Sequence, residues 1–174
     1  CAVTITMTSP KSTGSFAARG GGWVVVQSIL MAAVILLAVV FPGDWTRTPV
    51  SLAGALLFGA GGYVGIAGVI VLGRNRTPFP QPRPGSELVQ HGIYARVRHP
   101  LYTSVLLASL GWALLWQSMT ASIAALALIP FFHAKARREE VRLRAQFSNY
   151  DEYARRVPPY LPRIGERMKL VCNF

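Results

Sequence analysis

Acidic side chains are scarce in this sequence: seven Asp and Glu among 174 residues, against eighteen Lys and Arg. Charged residues of both signs make up only 14% of the chain, where ~25% is usual for a globular domain. Cysteine is nearly absent. Cys1 and Cys172 stand at the two ends, which leaves no framework of disulfide pairs and no Cys/His spacing fit for a metal. No metal site is expected, and neither a nucleophilic triad nor a glycosidase-like carboxylate pair stands out. Disorder is excluded as well, because 52% of the residues are hydrophobic and disordered chains are poor in them.

What the sequence does have is long uncharged runs, at residues 23–41, 50–72 and 101–133. Eighteen or more apolar residues without charge read as a membrane span. The third run is too long for one crossing: 33 residues of helix would reach ~50 Å, against a hydrocarbon core of ~30 Å. Split at Gln117–Thr120, it gives two helices of 16 and 13 residues in a tight hairpin. The fold class is therefore an all-α integral membrane protein with about four membrane helices, followed by an amphipathic C-terminal helix. In the second run, Gly59-Ala60-Gly61-Gly62-Tyr63-Val64-Gly65 lies inside a continuous apolar stretch, so it is no dinucleotide loop. Gly61 and Gly65 share one helix face, where small residues let another helix approach closely.

Seventeen of the eighteen basic residues fall before the first run, in 73–100 or after 133; only Arg47 lies in an opposite loop. Cytoplasmic loops carry the Lys/Arg excess, so both termini, residues 73–100 and the tail are expected inside. Trp45, Trp112 and Trp116 then fall near the outer interface. Anionic lipid is the expected partner of the basic residues, with no nucleic acid. Residues 1–22 read as a disordered tail, 23–72 as two membrane helices, 73–164 as a core containing the 101–133 hairpin and 165–174 as a second tail.

From Ala134 to Arg156 the pattern is helical, with Leu143, Phe147, Tyr150, Ala154 and Val157 on one apolar stripe. Glu139 lies four residues before Leu143, on the same face. Lipid binding at the interface explains the stripe and the arginines but not this glutamate. Pro158-Pro159 stops the helix, and an extended segment follows.

The residues able to carry chemistry are concentrated in two places. One is the run from Leu88 to Tyr102, which leads straight into the third apolar stretch; the other is Arg137-Arg138-Glu139-Glu140, which leaves it. A hairpin brings those two ends together. Arg98, His99, Tyr102, Glu139 and Glu140 should converge at the cytoplasmic surface, with Pro100 in the first turn of a helix.

Those two segments resemble the isoprenylcysteine carboxyl methyltransferase and phospholipid methyltransferase superfamily. The likeness is carried by Arg98-His99-Pro100-Leu101-Tyr102, Glu139-Glu140 across a hydrophobic stretch, Phe147-Ser148-Asn149-Tyr150 and the Val157-Pro158…Pro162 ending. It spans about residues 72–164, which implies a cofactor-binding core over 73–164, and Leu72–Pro78 with Pro82–Gly85 is similar to the bacterial branch, which implies a bacterial inner membrane. Ser148 stands where that family commonly has Gly. The resemblance implies S-adenosyl-L-methionine as cofactor, with Val89, His91, Gly92, Tyr94, His99, Pro100, Tyr102 and Glu140 as its lining. It also implies Arg98, Arg138 and Glu139 as residues acting on the acceptor. The chemistry is compatible: Glu pairs with an ammonium, Arg or His with a carboxylate, and Tyr rings face adenine or a cationic sulfur.

Methyl transfer is an in-line displacement that neutralises charge, so orientation and desolvation are the main demands on the protein. A lipophilic small molecule or lipid entering from the membrane is the expected acceptor, its carboxylate, amine or thiol nature left open. Two other readings stand beside it: a nicotinamide-dependent membrane reductase of related architecture, and a non-enzymatic lipid-binding scaffold.

Overall fold

The computed structural model describes residues 20–43, 48–73 and 87–162. Both tails, Trp45 and residues 74–86 lie outside these, and so do the expectations that fall on them. The described residues form helices and connecting turns, with no strand among them. Helix α1 covers Gly21–Val40, α2 Thr48–Leu72, α3 Pro100–Leu115, α4 Met119–Gln146 and α5 Tyr150–Arg156. A short 3-10 turn at Gly92–Ala95 precedes α3.

Helices α1, α2 and α4 are each long and apolar enough to cross a membrane; α3, at 16 residues, is apolar but shorter. Their outer surfaces agree with a lipid environment. Ile29, Leu36, Leu56 and Ile70 are all more than 60% exposed, an apolar display that a water-soluble monomer rarely carries.

The hairpin forms as expected at its first half and differs at its second. Helix α3 keeps the predicted 16 residues. It begins at Pro100, where the missing N–H is harmless. Ser118 caps α4 by accepting from the Ala121 N–H at 3.3 Å, which starts the return helix at Met119. That helix does not stop after 13 residues. It runs 28 residues through Pro130 and carries the Arg137–Glu140 cluster on its far end. The amphipathic stretch 134–156 is consequently not one helix. It breaks between Gln146 and Tyr150, with extended backbone at Phe147, and α5 completes the stripe after a turn.

Helix α2 packs along the whole of α3, and small residues make this possible. Gly54, Gly61 and Gly68 are buried at heptad spacing. A Cβ on Gly61 would stand 2.7 Å from the Ala108 nitrogen, and one on Gly65 2.5 Å from Ser104 Oγ. The expected Gly61/Gly65 face is thus the α3-facing one. From the other side, a Cβ on Gly111 would meet the Phe58 nitrogen at 2.4 Å. Helix α1 packs on α4 and α3, around Val34, Leu128 and Phe132.

Candidate active site

The mouth of α3 is held open by a strap. After α5, the chain turns back so that the Arg98 and His99 N–H groups donate to the carbonyls of Pro158 and Pro159, both at 2.9 Å. Thr103 Oγ1 donates to the Tyr160 carbonyl at 2.9 Å. Tyr153, on α5, donates 2.7 Å to the Tyr94 carbonyl in the 3-10 turn. Backbone groups that a helix start leaves unpaired are therefore satisfied by residues about sixty positions away.

Within this frame the two distant segments meet. His99 Nε2 lies 3.0 Å from Glu140 Oε1, and Arg98 reaches the same oxygen at 2.9 Å. Arg144 adds a longer contact to the other oxygen, 3.6 Å. Tyr102 donates to Glu139 Oε2 at 2.6 Å, a length typical of an O–H···O⁻ bond. The rings of His99 and Tyr102 stack, 5.3 Å apart and 10° from parallel. So the adjacent carboxylates divide their tasks: Glu140 is enclosed by cations, and Glu139 turns to the cleft.

That cleft is bounded by Val89, Tyr94, Arg98, His99, Pro100, Tyr102 and Glu139, seven of the residues singled out from sequence. Glu140 stands behind it, bracing Arg98 and His99. His91, Gly92 and Arg138 are not on its wall. His91 is exposed, and its carbonyl accepts from Tyr94 to close the 3-10 turn. Gly92 has φ +60, and a Cβ there would also meet Val71 at 2.8 Å, so it serves the turn. Arg138 faces away from the cleft as an exposed residue of α4.

Sequence reasoning placed Leu143, Phe147 and Tyr150 on an apolar stripe without giving the stripe a ligand. In the structure they close the cleft, together with Leu88 and Tyr153. The signal was present in Glu139 sharing their face. Burial, and then the charge of Glu140, push the Tyr150 phenol up to about 12, against the opposing Arg98. Burial followed by Glu140 does the same for Tyr160. Burial raises Tyr94 and Tyr153 further. These phenols are neutral donors throughout the physiological range.

Two donors at the cleft remain unsatisfied. The Tyr150 hydroxyl and Arg98 Nε are both buried, and neither completes a hydrogen bond of good geometry, although Arg98 lies near enough to act on Tyr150. Buried unpaired donors are uncommon and call for a partner. Among the described residues no group of His, Cys, Asp and Glu could hold a metal ion.

Residues 50–150 match the family profile described as phospholipid methyltransferase. The chain is 33% identical over 163 residues to the nickel-cobalt-cadmium resistance protein NccN of Alcaligenes xylosoxydans xylosoxydans, covering 90% of this chain and 71% of that one. It is 30% identical to the cobalt-zinc-cadmium resistance protein CzcN of Cupriavidus metallidurans, over 84% of this chain and 65% of that one. It is 29% identical to protein-S-isoprenylcysteine O-methyltransferase B of Arabidopsis thaliana, over 87% and 85% respectively. The matched region contains the glycine-packed helices, the Arg98–Tyr102 segment and the Glu139-Glu140 pair alike, and the chain belongs to the phospholipid methyltransferase family of membrane enzymes.

Proposed function

We propose that this protein is an S-adenosyl-L-methionine-dependent methyltransferase that modifies a lipophilic acceptor at the cytoplasmic surface of the membrane. The observation that carries the reading is the cleft itself: a carboxylate, Glu139, among tyrosine rings, with unsatisfied donors on Tyr150 and Arg98. This donor set fits the cofactor's charges. Glu139 suits its cationic groups, the Arg98 and Tyr150 donors suit its carboxylate, and Tyr94 offers a ring face to a cation. The cleft has a volume of ≈ 130 Å³, below the ~300 Å³ of small-ligand pockets. It suits the amino-acid portion, with the remainder at the open mouth.

When bound, the cofactor supplies an electrophilic methyl group. The protein's own work is to orient and to exclude water. Glu140 neutralises Arg98 from behind and holds the His99 ring by a hydrogen bond, so that those side chains keep their places without drawing water in. Leu88, Leu143 and Phe147 dry the wall opposite Tyr102. Glu139, fixed by Tyr102, can accept a proton from an amine or thiol acceptor, whereas a carboxylate acceptor needs no base. Arg98 is placed to hold an anionic acceptor. The relatives' names speak of isoprenylcysteine and of metal resistance; a lipid-like acceptor is supported here by the apolar helices that surround the cleft's inner end.

The decisive experiment is thermal unfolding of the detergent-purified protein with S-adenosylhomocysteine or with NADPH. A ligand that binds only the native state adds about 2.7 kcal/mol at 100 times Kd. Stabilisation by S-adenosylhomocysteine alone is expected; its absence at millimolar concentration rejects this function.

A further inference from the structure

Glu139 faces the cleft, and one helical turn earlier on α4 a second charge faces inward. Lys135 is 2% exposed. It donates to Gln27 Oε1 on α1, and its ammonium stands over the face of Tyr102, 5.4 Å from the ring centroid. Tyr102 in turn makes the 2.6 Å bond to Glu139. Three helices are joined by this line of contacts, from Gln27 on α1 through Lys135 on α4 and Tyr102 on α3 back to Glu139.

Packing alone does not ask for a lysine at this place. Methionine would fill it without burying an ammonium, which is unfavourable unless the charge is compensated. Lys135 does not line the cleft, so it acts on a ligand through what it touches: the Tyr102 ring and, by its charge, the nearby Glu139. A cation over an aromatic face is attracted to the ring and holds its plane. It also withdraws electron density from the phenol, which strengthens the hydroxyl as a donor. His99, stacked on the same ring, and Phe132, 5.0 Å from it, complete the clamp.

We infer that Lys135, secured by Gln27, is a positioning residue that sets Tyr102 and through it the cleft-facing Glu139, making α1 a working part of the site. This rests on the proposed function, in which Glu139 receives a cationic group of the cofactor. No contact between Lys135 and ligand is required.

The test compares wild type with Lys135→Met, Lys135→Arg and Gln27→Leu, each checked for folding by far-UV circular dichroism and size exclusion. The first readout needs no ligand: the phenol C–O infrared band of isotope-labelled tyrosine, assigned by Tyr102→Phe. Lys135→Met is expected to shift that band, Gln27→Leu to broaden it, and Lys135→Arg to restore it. The second is affinity for S-adenosylhomocysteine, expected to fall about tenfold in Lys135→Met and to recover in Lys135→Arg. A lysine that only supports the fold would lower the unfolding temperature and leave both readouts unmoved, which overturns the inference. Should Lys135→Met fail to fold, Gln27→Leu decides in the same way. If wild type binds no S-adenosylhomocysteine, the proposed function falls, and the Tyr102 band still decides the role of Lys135.

Discussion

Glu139 and Glu140 are identical side chains one residue apart, and their surroundings predict opposite responses to the same substitution. Glu140 pairs with the Arg98 guanidinium and holds the His99 ring in a mostly buried place, so Glu140→Gln leaves Arg98 uncompensated. A loss of about 2–4 kcal/mol of stability is expected, measured by thermal unfolding in detergent. Glu139→Gln keeps most of the fold, at a cost of about 1 kcal/mol or less, and lowers S-adenosylhomocysteine affinity at least tenfold. Equal stability losses in both variants would contradict this division. Tyr150 gives a pH signature. It is 1% exposed, and burial raises its phenol from 10.0 to about 12. Its neutral form therefore favours the folded state fully below pH 10, and that advantage is lost as pH rises towards 12. Between those limits wild type should lose about 2 kcal/mol that Tyr150→Phe does not lose. At this scale the sequence was informative where motif and spacing coincide, at Arg98, His99, Tyr102 and Glu139. It was silent on Lys135 and Gln27, because a contact between α1 and α4 leaves no periodic trace in either helix.

Among the helices, the α2–α3 pair is the most sensitive to volume. Its close approach uses glycine on both sides, so Gly111→Ala would place a methyl 2.4 Å from the Phe58 nitrogen, against backbone that cannot yield. A loss of at least about 2 kcal/mol is expected. Gly62, with nothing within 4 Å of its would-be Cβ, is the control: Gly62→Ala should be neutral or stabilising by up to about 1 kcal/mol. Both are read from unfolding in the same detergent. The glycine face was legible from the spacing of Gly61 and Gly65, since the helical repeat alone decides which residues share a side. The length of α4 was not. Its loss of apolar character after His133 marks the point where the helix leaves the hydrocarbon, and composition cannot tell leaving from ending. The same holds for the break at Phe147, where an unbroken apolar stripe conceals a turn because α5 resumes the stripe on the far side.

For the molecule as a whole, the uneven distribution of arginine and lysine is the evidence on orientation, and it yields a direct check. In a background with Cys1 and Cys172 changed to Ser, a cysteine at Met119, the first residue of α4, is expected to react with an impermeant maleimide added outside intact cells. A cysteine at Ala145, near the end of α4, is expected to react only after lysis. Both positions are exposed, so access is decided by the membrane. The reverse pattern would place the cleft on the outside and remove the cytosolic supply of cofactor from the proposed function. That the two chemical segments meet at one end of a hairpin could be deduced from sequence. That a third segment, 158–160, locks them there could not, because carbonyl acceptors are common to every residue.

That lock bears on the order in which the protein becomes competent during synthesis. At ~5–20 residues per second, the ribosome needs several seconds to pass from Arg98 to Tyr160. Helices α2 and α3 can already be side by side in the bilayer while the N–H groups of Arg98 and His99 still wait for Pro158 and Pro159. A nascent chain halted in that interval is inserted and helical yet has no binding cleft. Membrane integration and acquisition of activity are thus separate events, and a truncation ending before residue 158 should display the first without the second.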